Sequence, residues 1–339
     1  MSHRSDAHDK VTSSASTEVG EVFYIESSST TRDVAFAAKK VVEFPSTMTL
    51  GTALRSLADN QILSAPVWDE TNKRYLGFVD VFDLLTLAVG VDVIAQLIPR
   101  VKDGEVAKDV EFDAGLTLKD LFEDNGAQPA NAWVPVQEGS KLRDVVRILA
   151  TKAKRVPVLG PNGRVVQIIS QSQITELINK FEAFADLLSK STLAQTGFGL
   201  KPVLTVKATD PARLAFQIMV ENNVSSVCVV DEETGQVLTA LSTKDIRLLP
   251  RIENAALVDA NLLSLSCQEF VARIRQLNLT TTMAACAVVD LGSNLHVVLG
   301  KLAASRLHRV YVVDAERKPV GVISVSDVVV ALQSVQSKQ

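Results

Sequence analysis

Three aspartates, Asp83, Asp245 and Asp327, fall at the same place in a recurring pattern. Each follows the central valine of an apolar run, with 16 positions from Val67 to Asp83, 16 from Val229 to Asp245 and 15 from Val312 to Asp327. A fourth copy runs 15 positions from Val158 to Gln173. Three residues before the acid stand Ser242 and Ser324, and in the first copy Asp80. A carboxylate in the first turn of a helix presents two acceptor oxygens and is favoured there by the helix dipole. A hydroxyl three residues earlier caps the same helix or reaches a ligand. The two residues just before each apolar run are Lys154-Arg155 in the second copy and His308-Arg309 in the fourth. The third copy has Ser225-Ser226 there and the first Leu63-Ser64. Cations beside a helix N-terminus suit a small anion such as phosphate. The chemistry on offer is therefore hydrogen-bond acceptance and anion binding. Bond-making catalysis is not expected. His3, His8, His296 and His308 are scattered, and the chain holds no G-x-x-x-x-G-K-[ST] loop, no H-E-x-x-H and no kinase signature set.

The elements that must position these residues recur with them. Runs dense in β-branched residues, Ala65–Asp69, Val156–Leu159, Val227–Asp231 and Val310–Asp314, read as buried strands. The turns ETNKR, GPNGR, EETGQ and AERKP follow, then a second strand ending in GFVDVFDLL, QIISQSQIT, ALSTKDIRLL or GVISVSDVVVAL. Before each first strand, apolar residues recur at helical spacing: Leu50, Ala53, Leu54 and Leu57; Leu142, Val145, Val146 and Leu149; Leu214, Ile218 and Met219; Leu295, Val298, Leu299 and Leu302. The fold class expected is α/β of the α+β kind, four repeats of β-α-β-β-α type. A unit of about 50 residues buries little surface alone, so the repeats pair into two modules. Residues 1–20, polar and Ser-rich, read as a disordered tail. Residues 21–180 form the first module, with repeats at about 41–90 and 132–181. Residues 181–199 are the connection, and 200–339 the second module, with repeats at about 200–250 and 286–335. The Gly197-Phe198-Gly199 stretch falls in the connection and takes no cofactor role. Residues 91–131 and 256–284, with helical patterns at Val91–Leu97, Leu116–Phe122 and around Phe270, Ile274 and Leu277, are either packing helices or partner surfaces.

Composition agrees with a globular chain. Of 339 residues, 47% are hydrophobic and 22% charged, enough for two cores. A net charge of −4 argues against nucleic acid as a partner. Cys228, Cys267 and Cys286 show no paired spacing and read as small buried hydrophobes rather than a disulfide framework or metal site. No apolar run reaches the roughly 20 residues of a membrane span, and the N-terminus lacks a signal-peptide core. A cytoplasmic or nuclear location is expected.

The layout resembles a known family. Gly321-Val322-Ile323-Ser324-Val325-Ser326-Asp327-Val328 follows the G-h-h-S-x-x-D-h text of the cystathionine-β-synthase (CBS) repeat, and Ala65-Pro66-Val67-Trp68-Asp69 with Gly77-Phe78-Val79-Asp80 is similar to it. Four repeats without an enzyme or channel domain further resemble the γ regulatory subunits of AMP-activated protein kinase and their plant and fungal relatives. The resemblance implies a non-catalytic subunit that binds AMP, ADP or ATP as ligands, with no resident cofactor or metal, and partners a kinase catalytic subunit and a scaffold subunit. The alternative is a CBS scaffold acting by protein contacts alone. The resemblance further implies that Asp83, Asp245 and Asp327 accept hydrogen bonds from ribose hydroxyls. Lys154, Arg155, His308 and Arg309 would contact phosphate, and Ser225, Ser226, Ser242 and Ser324 would line the same sites. Gln173 limits the ribose positions to three. Leu63, Ser172 and Asp210 stand where the family has an arginine, a lysine and a threonine, which reduces the working sites to one or two. A cleft between the third and fourth repeats, with Asp245, Asp327, His308 and Arg309, is the best-equipped candidate.

Overall fold

Each β-branched run is the middle strand of its own three-stranded sheet. The computed structural model describes residues 29–32, 41–89, 101–102, 105–106, 116–123, 131–180, 188–247, 262–277 and 286–336. The tail and Val91–Leu97 lie outside them. In each sheet the middle strand pairs parallel with a short lead strand and antiparallel with the strand that follows. The middle strands are Ser64–Asp69, Arg155–Leu159, Ser226–Val230 and Arg309–Val313. They begin one residue earlier than the β-branched text suggests, because that residue still pairs across the sheet: Ser64 with Asp80, Arg155 with Ser170, Ser226 with Ser242, and Arg309 with Ser324. A register shift falls at the same place in all four, after Val67, Val158, Val229 and Val312.

The helix before each middle strand turns an apolar stripe inward. Leu50, Ala53, Leu54 and Leu57 are buried in the first repeat, and Leu142, Val145, Val146 and Leu149 in the second. In the fourth, Val298, Leu299 and Leu302 are buried while Leu295 is only half-buried. The third differs from expectation. Its buried stripe on Ala212–Glu221 is Ala212, Ala215, Phe216 and Met219, and Leu214 and Ile218 flank it half-buried. Phe216 decides the rotation, since its ring stacks edge-on against Phe270 with centroids 5.6 Å apart.

The chain forms two compact units, and they do not follow chain order. One combines Val42–Ala132 with Leu204–Ala285, hence repeats one and three. The other combines Trp133–Val203 and Cys286–Gln339 with the N-terminal residues, hence repeats two and four. Each has its own core. Leu54, Leu57, Val67 and Leu85 pack with Phe216, Met219, Val229 and Leu241 in the first. Val146, Leu149, Val158 and Ile174 pack with Val298, Leu302, Val312 and Val329 in the second. Fully burying each such side chain contributes about 1.5–3 kcal/mol, so these faces decide which repeats share a core. The expected grouping of repeats one with two and three with four therefore does not describe the compact units.

The lead segment of each repeat lies in the unit that holds its neighbour in the chain. The stretch that enters the first repeat bonds to the second, through Thr31 N to Ser140 O (2.9 Å) and Leu142 N to Ser29 O (2.9 Å). The stretch that enters the second repeat includes helix Leu118–Glu123 and bonds to the first, through Leu50 N to Leu116 O (3.1 Å) and Leu118 N to Met48 O (2.8 Å). Leu193–Thr196, ahead of the third repeat, bonds to the fourth, and Cys267–Leu277, ahead of the fourth, bonds to the third. The described helices of the two insertions thus pack on the core, burying Leu118, Leu121, Phe270 and Ile274, while Val101–Lys102 and Glu105–Val106 form a short antiparallel strand pair. The described residues of the connection, 188–199, are held in place too, since Leu193 N bonds Ser293 O at 2.8 Å and Val322 N bonds Gly199 O at 2.9 Å. Cys228 and Cys267 are buried and Cys286 half-buried, all as free thiols. No described helix is long and apolar enough to cross a membrane, and the described residues hold no metal-ligand cluster.

Candidate functional site

The same corner is built four times. The third strand of each sheet ends on Asp80, Ser170, Ser242 or Ser324, and the chain enters a helix at once. The amide of the next residue donates back across the sheet: Val81 N to Leu63 O (3.0 Å), Gln171 N to Lys154 O (3.2 Å), Thr243 N to Ser225 O (3.0 Å) and Val325 N to His308 O (2.9 Å). This bond and the strand pairing clamp the pairs Leu63-Ser64, Lys154-Arg155, Ser225-Ser226 and His308-Arg309 beside a helix N-terminus. There unpaired amides and the helix dipole favour anions.

The acids are caps first. Ser242 donates to Asp245 Oδ2 from its amide (2.7 Å) and its hydroxyl (3.0 Å). Ser324 does the same to Asp327 Oδ2, at 2.7 and 2.6 Å, and Ser324 Oγ accepts from the Asp327 amide at 3.2 Å. Ser170 and Gln173 make the equivalent box, with 2.8 Å from the Ser170 amide to Gln173 Oε1. Gln173 therefore replaces the acid without loss of the cap. In the first repeat both members are carboxylates: Asp83 Oδ2 accepts from the Asp80 amide (2.8 Å) and Asp80 Oδ1 from the Asp83 amide (2.9 Å). Both are buried. Capping consumes one oxygen of Asp245 and Asp327 and leaves Oδ1 for another donor.

The two Oδ1 atoms differ. Among the described residues Asp245 Oδ1 receives no hydrogen bond. Burial pushes this carboxyl above its ordinary value, against the Ser242 bonds and the fields of Lys244 and Arg247. Asp327 Oδ1 instead accepts from Lys201 Nζ at 2.9 Å. Desolvation raises this group, but the Ser324 hydroxyl, Lys201 and the Ser324 amide together hold it below the usual range. Lys201 was not among the residues expected in a site. It lies 126 positions from Asp327, at the very start of the expected third repeat, and only the folding of residues 197–201 onto the fourth repeat reveals it.

The expected set is divided between the units. Asp83, Ser225, Ser226, Ser242 and Asp245 belong to repeats one and three, whereas Lys154, Arg155, His308, Arg309, Ser324 and Asp327 belong to repeats two and four. The expected site basic pairs all fall in the second unit. Lys154 is exposed, and Arg155, His308 and Arg309 are half-buried.

Comparison with known proteins follows the same boundaries. Residues 32–90, 132–180, 199–249 and 281–334 match the family model described as CBS domain. The chain is 25% identical over 309 residues to human 5'-AMP-activated protein kinase subunit gamma-3, covering 88% of this chain and 58% of that one. It is 23% identical over 335 residues to the Saccharomyces cerevisiae subunit gamma of the same kinase, covering 97% of each. The Dictyostelium discoideum subunit gamma is 21% identical over 302 residues, and the chain spans 50% of its length. Against some relatives, then, the chain spans only about half to three fifths of their length. Among solved structures, the crystal structure of a Methanocaldococcus jannaschii protein proposed as an archaeal homolog of g-AMPK shares the fold, with a TM-score of 0.63 and 16% identity over 89% of this chain and 99% of that one.

Proposed function

The chain belongs to the CBS domain family, and we propose that it is a non-catalytic regulatory subunit that binds adenine nucleotides and controls a partner Ser/Thr protein kinase. The observation that carries this reading is the corner of the fourth repeat, which alone among the four joins a capped carboxylate, Asp327, to a basic pair, His308-Arg309. A carboxylate with one oxygen beyond its cap, and a basic pair clamped beside a helix N-terminus, are what a ribose diol and a phosphate each require. Asp245 and Asp327 are the ribose acceptors, and Arg309 with His308, helped by Arg155 and Lys154, takes the phosphate. AMP, ADP and ATP are exchangeable ligands here, not resident cofactors. The kinase partnership is supported by the relatives named as gamma subunits of 5'-AMP-activated protein kinase.

Thermal unfolding of the full chain with AMP, ADP, ATP, adenosine and S-adenosylmethionine tests the reading. A ligand bound only by the folded state stabilises it by about 2.7 kcal/mol at a hundredfold excess over Kd. The expected result is a shift with at least one adenine nucleotide that exceeds the shift with adenosine. A flat series across all five ligands refutes nucleotide binding and leaves a scaffold that works through protein contacts.

A further inference from the structure

We infer that Lys201 is a built-in counter-ion that occupies the ribose-acceptor oxygen of the fourth repeat, so that this corner binds a nucleotide only by displacing it. The inference rests on the nucleotide reading above and deepens it. A ribose diol donates two hydrogen bonds and needs the oxygen that the cap leaves open. At Asp327 that oxygen, Oδ1, already accepts from Lys201 Nζ at 2.9 Å. At Asp245 it accepts from no described residue. The two corners share the serine-to-carboxylate bonds and the strand register, and differ at this atom and in the preceding pair, Ser225-Ser226 against His308-Arg309.

The lysine is placed there by the connection. Gly197 ends helix Leu193–Thr196 in the left-handed region (φ 67°), and Gly199 turns the chain again (φ 76°). The Gly199 carbonyl then accepts from Val322 N at 2.9 Å, on the strand that leads to Ser324. A Cβ on Gly199 would overlap the Ile323 side chain, and one on Gly321 would overlap the Gly199 carbonyl, so glycine at both positions permits this approach. Phe198 packs on the core of the same unit. Two residues beyond Gly199, Lys201 leaves a seated backbone within reach of the carboxylate. The glycines and Phe198 therefore set an ammonium group against one oxygen.

Both side chains are partly exposed, 47% for Lys201 and 29% for Asp327, so the pair is a modest barrier. Its removal is expected to tighten binding at this corner about two- to fivefold. The test is calorimetry of the full chain with AMP and with 2′,3′-dideoxy-AMP, comparing Lys201→Met with its parent in both wild-type and Asp245→Ala backgrounds. A two- to fivefold gain for AMP and none for the dideoxy nucleotide in Lys201→Met supports the inference. Equal or weaker AMP binding in Lys201→Met overturns it, a loss meaning that Lys201 helps to hold the ligand. If wild-type chain binds AMP and the gain is absent, the inference alone falls. If no protein in the set binds any adenine nucleotide, the nucleotide reading falls with it. A second readout needs no ligand: the Asp327 carboxyl, followed by carbon NMR, must titrate at higher pH in Lys201→Met. An unmoved titration would show that the pair does not form in solution and overturns the inference as well.

Discussion

Asp245 and Asp327 hold equivalent places yet ionise with opposite consequences for stability, and replacing each by asparagine separates them. Asparagine keeps a carbonyl oxygen for the Ser242 or Ser324 cap, so the charge is what changes. Burial raises the folded pKa of Asp245 above its unfolded value of about 3.9. The folded state then binds more protons than the unfolded one, and stability falls as pH rises from the unfolded pKa through the folded one. Above its unfolded pKa the raised Asp245 carboxyl is therefore a net cost to the folded state. Asp245→Asn removes that cost, so the variant is more stable than wild type at pH 7, and the difference shrinks as pH falls from the folded pKa and is gone below about pH 4. Asp327 is depressed, so its contribution is complete above the unfolded pKa and is lost as pH falls through the folded one. Asp327→Asn forfeits the Lys201 ion pair, worth about 0.2–1 kcal/mol when partly exposed, and weakens the Ser324 bonds from charged to neutral, about 1 kcal/mol more. The expected loss at pH 7 is about 1–2 kcal/mol, roughly 2–8 °C in Tm. Urea unfolding of both variants at pH 7 and pH 4, with unchanged slope, measures the two signs. Destabilisation by both variants at pH 7, or differences that ignore pH, would refute the reasoning.

Three further outcomes are expected. Arg309→Gln weakens AMP by about 10- to 150-fold, the range for a charged hydrogen bond, but leaves adenosine nearly unchanged; equal losses in calorimetry would make Arg309 a structural residue. Gln171 joins repeats two and four, accepting from Ser326 Oγ at 2.7 Å and donating to Leu149 O at 2.8 Å, so Gln171→Ala should cost about 1–3 kcal/mol in urea unfolding, and less than 0.5 kcal/mol would show that the bridge is replaced by water. Burial pushes the Cys267 thiol up to about 12, so alkylation near pH 8 should label half-buried Cys286 well before Cys267; the reverse order would show that the Cys267–Leu277 helix opens.

The repeat layout was legible in the residues because strand and helix periodicities are local. The four valine anchors, the β-branched runs and the stripes such as Leu142-Val145-Val146-Leu149 located the four three-stranded sheets and the helices that flank them. The cap positions were legible for the same reason, since a serine and an acid three residues apart at a strand end make a capping box whatever surrounds them. The shared place of Lys154-Arg155 and His308-Arg309 ahead of the apolar runs was legible too, but not that Arg155 and Arg309 open the strands themselves. The rotation of helix Ala212–Glu221 was not, because Phe216 and Leu214 are both apolar and only the Phe270 ring selects between them.

What the sequence could not contain is the choice among similar faces. Four repeats present apolar helix stripes of nearly the same pattern, and no local signal says that the first shares its core with the third and the second with the fourth. That choice is made by side-chain volumes meeting across hundreds of residues, and by lead segments that cross to a neighbouring repeat before their own begins. Lys201 is the sharpest case. Its charge, its position after two glycines and its distance in sequence from Asp327 are all in the text. Its meaning depends on one contact, 2.9 Å between an ammonium and a carboxylate oxygen, formed only once the connection has docked on the fourth sheet.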